Sequence, residues 1–185
     1  MHLDYATLEQ GLHALPPPPK DAGTVVEVVA RPTSDARHTP AVAKLTPEHG
    51  LEGDRWRKRP HTGNRDQITV MRADFGRLAA NGQPLALFGD NLVVELDLSE
   101  ENLPAGTRLR IGTALCEVTP QPHTGCAKYE ARFGKDARNL TLAKEYVPLR
   151  LRGLYICVLE AGEVHVGDSI QVLSRPAREE LAKAA

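Results

Sequence analysis

Aromatic residues make up only 4% of this 185-residue chain, too few for a platform that stacks nucleic-acid bases. A surplus of either charge is also missing. Twenty-three Lys and Arg stand against 24 Asp and Glu, a net charge of −1, so no global field draws nucleic acid or membrane. Anion recognition must therefore come from a local cluster. No apolar run approaches the ~20 residues of a membrane span. The opening MHLDYATLEQ has neither a cationic n-region nor an apolar h-region, so no secretory signal is read. Cys116, Cys126 and Cys157 are odd in number, far apart and without a C-x-x-C, which argues against a zinc knuckle or a disulfide framework. Neither G-x-x-x-x-G-K-[ST] nor a strand-linked G-x-G-x-x-G is present, so no nucleotide phosphate cradle is indicated. These absences lead to an expectation of a cytoplasmic protein with reduced thiols and with neither nucleic acid nor membrane as partner.

What is present is an ordinary globular composition, 41% hydrophobic and 25% charged, at a length that suits one domain with tails. Leu8, Leu12 and Leu15 at i, i+4, i+7 predict a short amphipathic helix, stopped by the stiff run Pro16 to Pro19. TVVEVVARP (Thr24 to Pro32) reads as a first strand, and Thr33 to Arg65 as a long irregular stretch of the kind that is functional or disordered. QITVM predicts a strand, RADFGRLAANG a helix closed by Gly82, and NLVVELDL an alternating strand. GTRLRIG and ALCEVT predict two short strands, and DARNLTLAKEYV a helical excursion. LRGLYICVLEAG and EVHVGDSIQVL predict a further pair, with Gly167-Asp168 turning a hairpin. The fold class that follows is mainly β, an antiparallel barrel-like domain with a few short helices. Residues 1–22 form an N-terminal helix and Pro-rich linker, 23–173 the barrel domain, and 174–185 a polar tail.

TPQPHTGCAKYEARFG (Thr119 to Gly134) carries the chemistry. Thr124 is expected to cap a helix running to Phe133 and ended by Gly134, with Cys126 in its first turn. A thiol there meets the positive end of the helix dipole, and His123 and Lys128 add charge nearby. Tyr129 and Phe133 at i, i+4 would pin the helix to the core. Cys116 and Cys157, inside apolar strands, read as small core residues. The bland alternative for Cys126 is a buried free cysteine in a turn. A second cluster, GLEGDRWRKRPHTGNRDQ (Gly50 to Gln67), puts Arg55, Arg57, Lys58, Arg59, His61 and Arg65 on a glycine-bearing loop. Guanidinium forks and free loop amides suit phosphate, and a solvated cationic loop is the alternative. In FGDNLVVE, Asn91 opens a strand, and its amide either closes a turn or faces a ligand.

GDNLVVELDL, TRLRIGTALCEVT, PHTGCAKYEARFG and RGLYICVLEAGEVHVGDSIQV, in that order, resemble a MOSC domain, the module found at the C-terminus of molybdenum-cofactor sulfurases and as free-standing proteins. The resemblance covers about residues 23–173 and implies a β-barrel-like fold with small helices. It implies that Cys126 carries persulfide sulfur or ligates molybdenum in molybdopterin, the molybdenum cofactor. By position it makes Arg55 and Asn91 cofactor contacts, with His123, Thr124 and Lys128 lining the same pocket and Arg152 a further candidate. The pyridoxal-phosphate desulfurase half and the ferredoxin-like part of larger members are missing. Pyridoxal phosphate is thus not expected to bind this domain, and persulfide or electrons would come from a partner cysteine desulfurase or an external electron donor. Three functions follow. The first is cofactor binding, with reduction of N-hydroxylated small molecules by a molybdenum-dependent oxidoreductase. The second is a persulfide sulfur carrier or sulfur transferase. The third is a non-enzymatic barrel that binds an anion or a partner.

Overall fold

A computed structural model of the chain describes residues 2–58 and 63–177. Helix α1 (Tyr5–Ala14) starts where the Asp4 carboxylate accepts from the Thr7 amide at 2.8 Å, and it buries Leu8 and Leu12. The proline run then carries the chain, extended, into β1 (Ala22–Val28). Next come β2 (Val42–Thr46), the two-residue β3 (Gly50–Leu51), a 3-10 turn at Trp56–Lys58, β4 (Ile68–Arg72), helix α2 (Ala73–Ala80) and β5 (Leu92–Glu95). Strands β6 (Arg108–Ile111) and β7 (Ala114–Val118) follow, then helices α3 (Ala127–Phe133) and α4 (Lys135–Leu142). The last strands are β8 (Leu154–Glu160), β9 (Gly162–His165) and β10 (Ser169–Ser174).

Among the described residues, seven strands close a barrel in the order β1-β10-β6-β7-β8-β4-β5, and β3-β2-β9 form a small second sheet. Closure leaves no exposed barrel edge to template aggregation. The interior is aliphatic: Val25, Val28, Leu92, Val94, Leu109, Ile111, Ile156 and Ile170 are all buried there. A second cluster lies outside the barrel, where Leu8, Leu12, Met71, Phe75, Phe88, Tyr129, Phe133 and Leu140 join the four helices to it. Helix α1 is therefore packed onto the same body, with Leu8 fully buried.

Three expectations are corrected. The barrel is not wholly antiparallel, because β4 and β5 pair in parallel (Val70 opposite Leu92) after α2 crosses between them. A helical crossover returns the chain in the same direction, which a two-residue turn cannot do. The stretch Thr33 to Arg65 is not irregular throughout. VAKLT alternates, with Val42 and Lys44 exposed and Ala43 and Leu45 buried, and pairs with β9. Nor do β9 and β10 form a hairpin ladder: β9 pairs with β2, whereas β10 joins β1 and β6. The turn itself survives. The Asp168 amide donates to the His165 carbonyl at 3.1 Å, and the Asp168 carboxylate accepts from the His165 amide at 2.7 Å. Gly167 lies between them at φ +93°. The polar tail expected at 174–185 is described only through residue 177.

Candidate functional site

β7 leaves the barrel at Val118, and Thr119 anchors the next segment by donating from its amide to the Tyr155 carbonyl (2.9 Å) and from its hydroxyl to the Arg65 carbonyl (2.5 Å). Pro120 and Pro122 cannot donate to a ladder, so the chain stays irregular until α3. The cap of α3 is Cys126, not Thr124. Cys126 has extended backbone angles (φ −93°, ψ 175°), and its carbonyl accepts from the Glu130 amide at 3.1 Å. Thr124 is exposed, two residues ahead of the cap, out of register for the hydroxyl-to-amide bond a cap makes. As expected, Tyr129 and Phe133 pin α3, with Phe133 stacked on Phe88 at 3.7 Å and 9°. Cys126 is exposed and Cys116 buried; burial pushes the Cys116 thiol up to about 12 and also raises the half-buried Cys157. Of the three thiols, Cys126 is the accessible one.

Beneath this segment lies a buried polar group. Arg152 donates from Nη1 to Asp90 Oδ2 at 2.5 Å, and its guanidinium sits 5.2 Å over the Tyr129 ring. His123 Nε2 is 3.6 Å from Asp90 Oδ1, and its ring leans on Tyr155 at 4.7 Å. The side chains of Arg152, Asp90 and His123 are 9%, 1% and 7% exposed. Burial raises the Asp90 pKa against the pull of Arg152 and Arg31. Burial, reinforced by Arg152 and Arg31, holds His123 well below its ordinary value, so its imidazole is neutral at neutral pH. Gly153, at φ +109°, lets the chain pass: a Cβ there would collide with the Val70 carbonyl and approach His123 Nδ1 to 3.2 Å. Within the described residues, Asp90 Oδ1, His123 Nδ1, Tyr129 Oη and Arg152 Nε have no hydrogen-bond partner.

A cationic group adjoins it. Arg31 donates to both Asp54 oxygens (2.7 and 3.1 Å), to Asn91 Oδ1 (2.8 Å) and to the Gly89 carbonyl (3.0 Å). Asn91 is fully committed. Its Oδ1 also accepts from the Thr69 amide and hydroxyl, and its Nδ2 donates to Val29 and Asp54. Burial works to raise the Asp54 pKa, but Arg31 overcomes it and holds the carboxyl below its usual range. Arg37 crosses Gly89, where an added Cβ would come within 2.9 Å of Arg37 Nη2. Its pKa is lowered by burial and then by the charges of Arg132, Arg31 and Arg55. Within the described residues, no carboxylate lies within ion-pair distance of Arg37, Arg55 or Arg132, and Arg37 Nε is buried without a partner. Lys128 reaches from α3 to Asp35, 3.4 Å away on the loop that carries Arg37.

The structure thus brings Asn91, His123 and Arg152 around Asp90, and Arg55 beside Arg31. Cys126 and Lys128 lie on α3, whose Tyr129 covers Arg152. It separates the rest of the basic loop. Arg57 turns to the Glu48 carbonyl (2.6 Å) and lines another groove with Lys58, while Arg59 and His61 lie outside the described residues. Sequence reasoning missed Arg31, Arg37, Asp54 and Arg132. Arg31 sits beside Pro32 with no motif around it, and only folding reveals that it meets Asp54 and Asn91. Among the described residues, no three His, Cys, Asp or Glu side chains converge to hold a bare metal ion.

The class defined by this fold and site is a closed β-barrel with an exposed cysteine at a helix start and an arginine cluster alongside. The MOSC domain profile matches residues 57–171, and the chain belongs to the MOSC domain family. It is 36% identical over 90 residues to the uncharacterized protein YflK of Bacillus subtilis (strain 168), across 49% of this chain and 38% of that one. The crystal structure of a hypothetical protein superposes with a TM-score of 0.62 at 25% identity, covering 86% of this chain and 71% of the other. YiiM from Escherichia coli gives 0.56 at 25% identity, over 83% and 71%. YuaD from Bacillus subtilis, 18% identical over 84% of this chain and 97% of that one, shares the fold at 0.57. No helix among the described residues is long and apolar enough to cross a membrane.

Proposed function

We propose that this protein binds molybdenum cofactor, with the Cys126 thiolate as the protein's ligand to the metal and the arginine cluster as the seat of the cofactor's phosphate. The observation that carries this reading is the cationic set around Arg37: the charges of Arg132, Arg31 and Arg55 disfavour its own with only Asp35 opposing them, no carboxylate lies within ion-pair distance of it among the described residues, and its buried Nε has no partner there. Such a set is stabilised by a multivalent oxyanion. A thiolate is a soft ligand of the kind such a metal centre would take, and Cys126 would supply it. The residues therefore fit the group.

When bound, the cofactor supplies two-electron redox chemistry, and an external electron donor serves it with small N-hydroxylated molecules as substrates. A few residues of this chain would position it. Arg31, braced by Asp54 and Asn91, holds the Gly89 turn against which Arg37 lies. Tyr129 and Phe133 hold α3 and so fix where Cys126 points. A cytoplasmic location suits an exposed free thiol.

The exposure of Cys126 favours one second reading, a persulfide carrier. In it the thiolate attacks the outer sulfur of a partner desulfurase's persulfide, leaving the partner's thiolate and a persulfide on Cys126. Isothermal titration of the protein with molybdopterin tests the first reading. Paired Arg37→Ala and Arg55→Ala variants should weaken binding by at least about tenfold. Unchanged affinity would remove the arginine cluster from the site, and a one-sulfur mass gain on Cys126 after incubation with a desulfurase would favour the carrier.

A further inference from the structure

A cleft of about 130 Å³ opens against the Pro120–Thr124 segment, and neither Arg37 nor Cys126 lines it. Its floor is Arg152, Gly153 and Leu154, one wall is Pro122 and His123, and Leu142 and Val147 form the rim. The volume is close to that of a cavity that holds benzene, about 150 Å³. The rim is unusually apolar for a surface, with Leu142 39% and Val147 46% exposed. Arg150, on the same rim, is a non-glycine residue at φ +48°. Backbone strain of that kind persists where surrounding structure enforces it, and it gathers at binding sites.

Charge narrows the ligand. Arg152 is already neutralised by Asp90, and Arg150 stands 3.9 Å from Glu100 while donating to the Leu103 carbonyl at 2.7 Å. The positive charges facing the cleft thus have carboxylates of their own. What remains on offer is hydrogen bonding: among the described residues Arg152 Nε and His123 Nδ1 are buried without a partner, and both residues line the cleft. We infer that this cleft is a second ligand site, for an uncharged single-ring molecule whose carbonyl or amide oxygen accepts from Arg152 while its ring lies between Pro122, Leu142, Val147 and Leu154. Net charge on the ligand would strand a charge in a region that is already balanced.

Titration of isotopically labelled protein with benzamide, followed by amide NMR, tests the site. Saturable shifts at Thr124, Leu142, Gly153 and Leu154 are expected, and saturating inorganic phosphate should leave them unchanged. Leu142→Trp fills the rim and should weaken binding by at least about tenfold, whereas Leu173→Trp, at an exposed position on β10, should not. Absence of shifts at the solubility limit of benzamide would overturn the site. Benzoate binding more tightly than benzamide would overturn the charge argument. Competition by phosphate would merge this cleft with the arginine cluster and overturn it as a separate site. None of these results bears on whether Cys126 holds a metal.

Discussion

Replacing Arg31 by Met tests whether the cationic group is braced from inside the protein. The substitution keeps a long apolar stem and removes the four hydrogen bonds to Asp54, Asn91 and Gly89. The Asp54 side chain is 1% exposed, so its charge cannot recover water. It keeps three donors: the amides of Arg31 and Trp56 and Asn91 Nδ2, each at 2.9 Å. Breaking a buried pair from one side costs about 3–5 kcal/mol, and these donors place the loss near the lower end, about 3 kcal/mol. Adding Asp54→Asn removes the stranded charge, so the double variant should be about 1–2 kcal/mol more stable than the sum of the two single losses implies. Urea melts at pH 7 with an unchanged slope provide the measurement. Titration supplies a second readout. Because Asp54 is held below its ordinary value, its contribution is present above about pH 3.9 and is lost as pH falls through its folded value. Arg31→Met should flatten that acid limb. A loss under about 1 kcal/mol, the size of a surface pair, would refute the reasoning.

Brief iodoacetamide treatment at neutral pH, mapped by mass spectrometry, should label Cys126 well before Cys116 or Cys157; preferential labelling of either strand cysteine would contradict the site. In the 165–168 turn, Asp168→Asn keeps an acceptor and should cost under ~1 kcal/mol with cofactor binding intact. Gly167→Val, forced to φ +93°, should cost at least ~1 kcal/mol in the same denaturant melts, and loss of binding in the Asn variant at unchanged stability would make Asp168 a ligand. His123 is held neutral by the fold, whereas the unfolded chain takes up a proton below about pH 6.5. Stability should therefore fall as pH drops through that point, by up to about 1.4 kcal/mol per pH unit. His123→Gln should remove that slope between pH 7 and pH 5.5, and an identical slope in both proteins would show that another group carries it.

Much of the barrel was legible because its strands are short, alternating and punctuated by glycine. TRLRIG and the glycine after Phe133 marked real boundaries, whereas NLVVELDL forms its strand without the expected alternation, burying Leu92, Val93 and Val94 in succession because both faces are covered. Pairing was less legible. Nothing local in EVHV says that it will join VAKLT across more than a hundred residues, since strand partners are chosen by burial of the whole sheet. The parallel β4–β5 pair was missed for the same reason, although the intervening helix RADFGRLAANG was read correctly. At the site, Cys126 stood out by its polar, glycine-flanked setting, and the pinning by Tyr129 and Phe133 followed from their spacing. The cap did not. Thr124 has the better chemistry for it, but the two prolines and the anchoring of Thr119 delay the helix to Cys126. Arg31 and Arg37, both on the β1–β2 connection, meet Arg132 of α3 only in the tertiary structure.

Metal analysis of the protein purified from a host that makes molybdenum cofactor tests the central claim most directly. With Cys126 as metal ligand, the wild type should carry molybdenum approaching one atom per chain, and Cys126→Ser, folded to the same stability, should lose most of it. Equal molybdenum in the two proteins, or none in the wild type, would contradict the account.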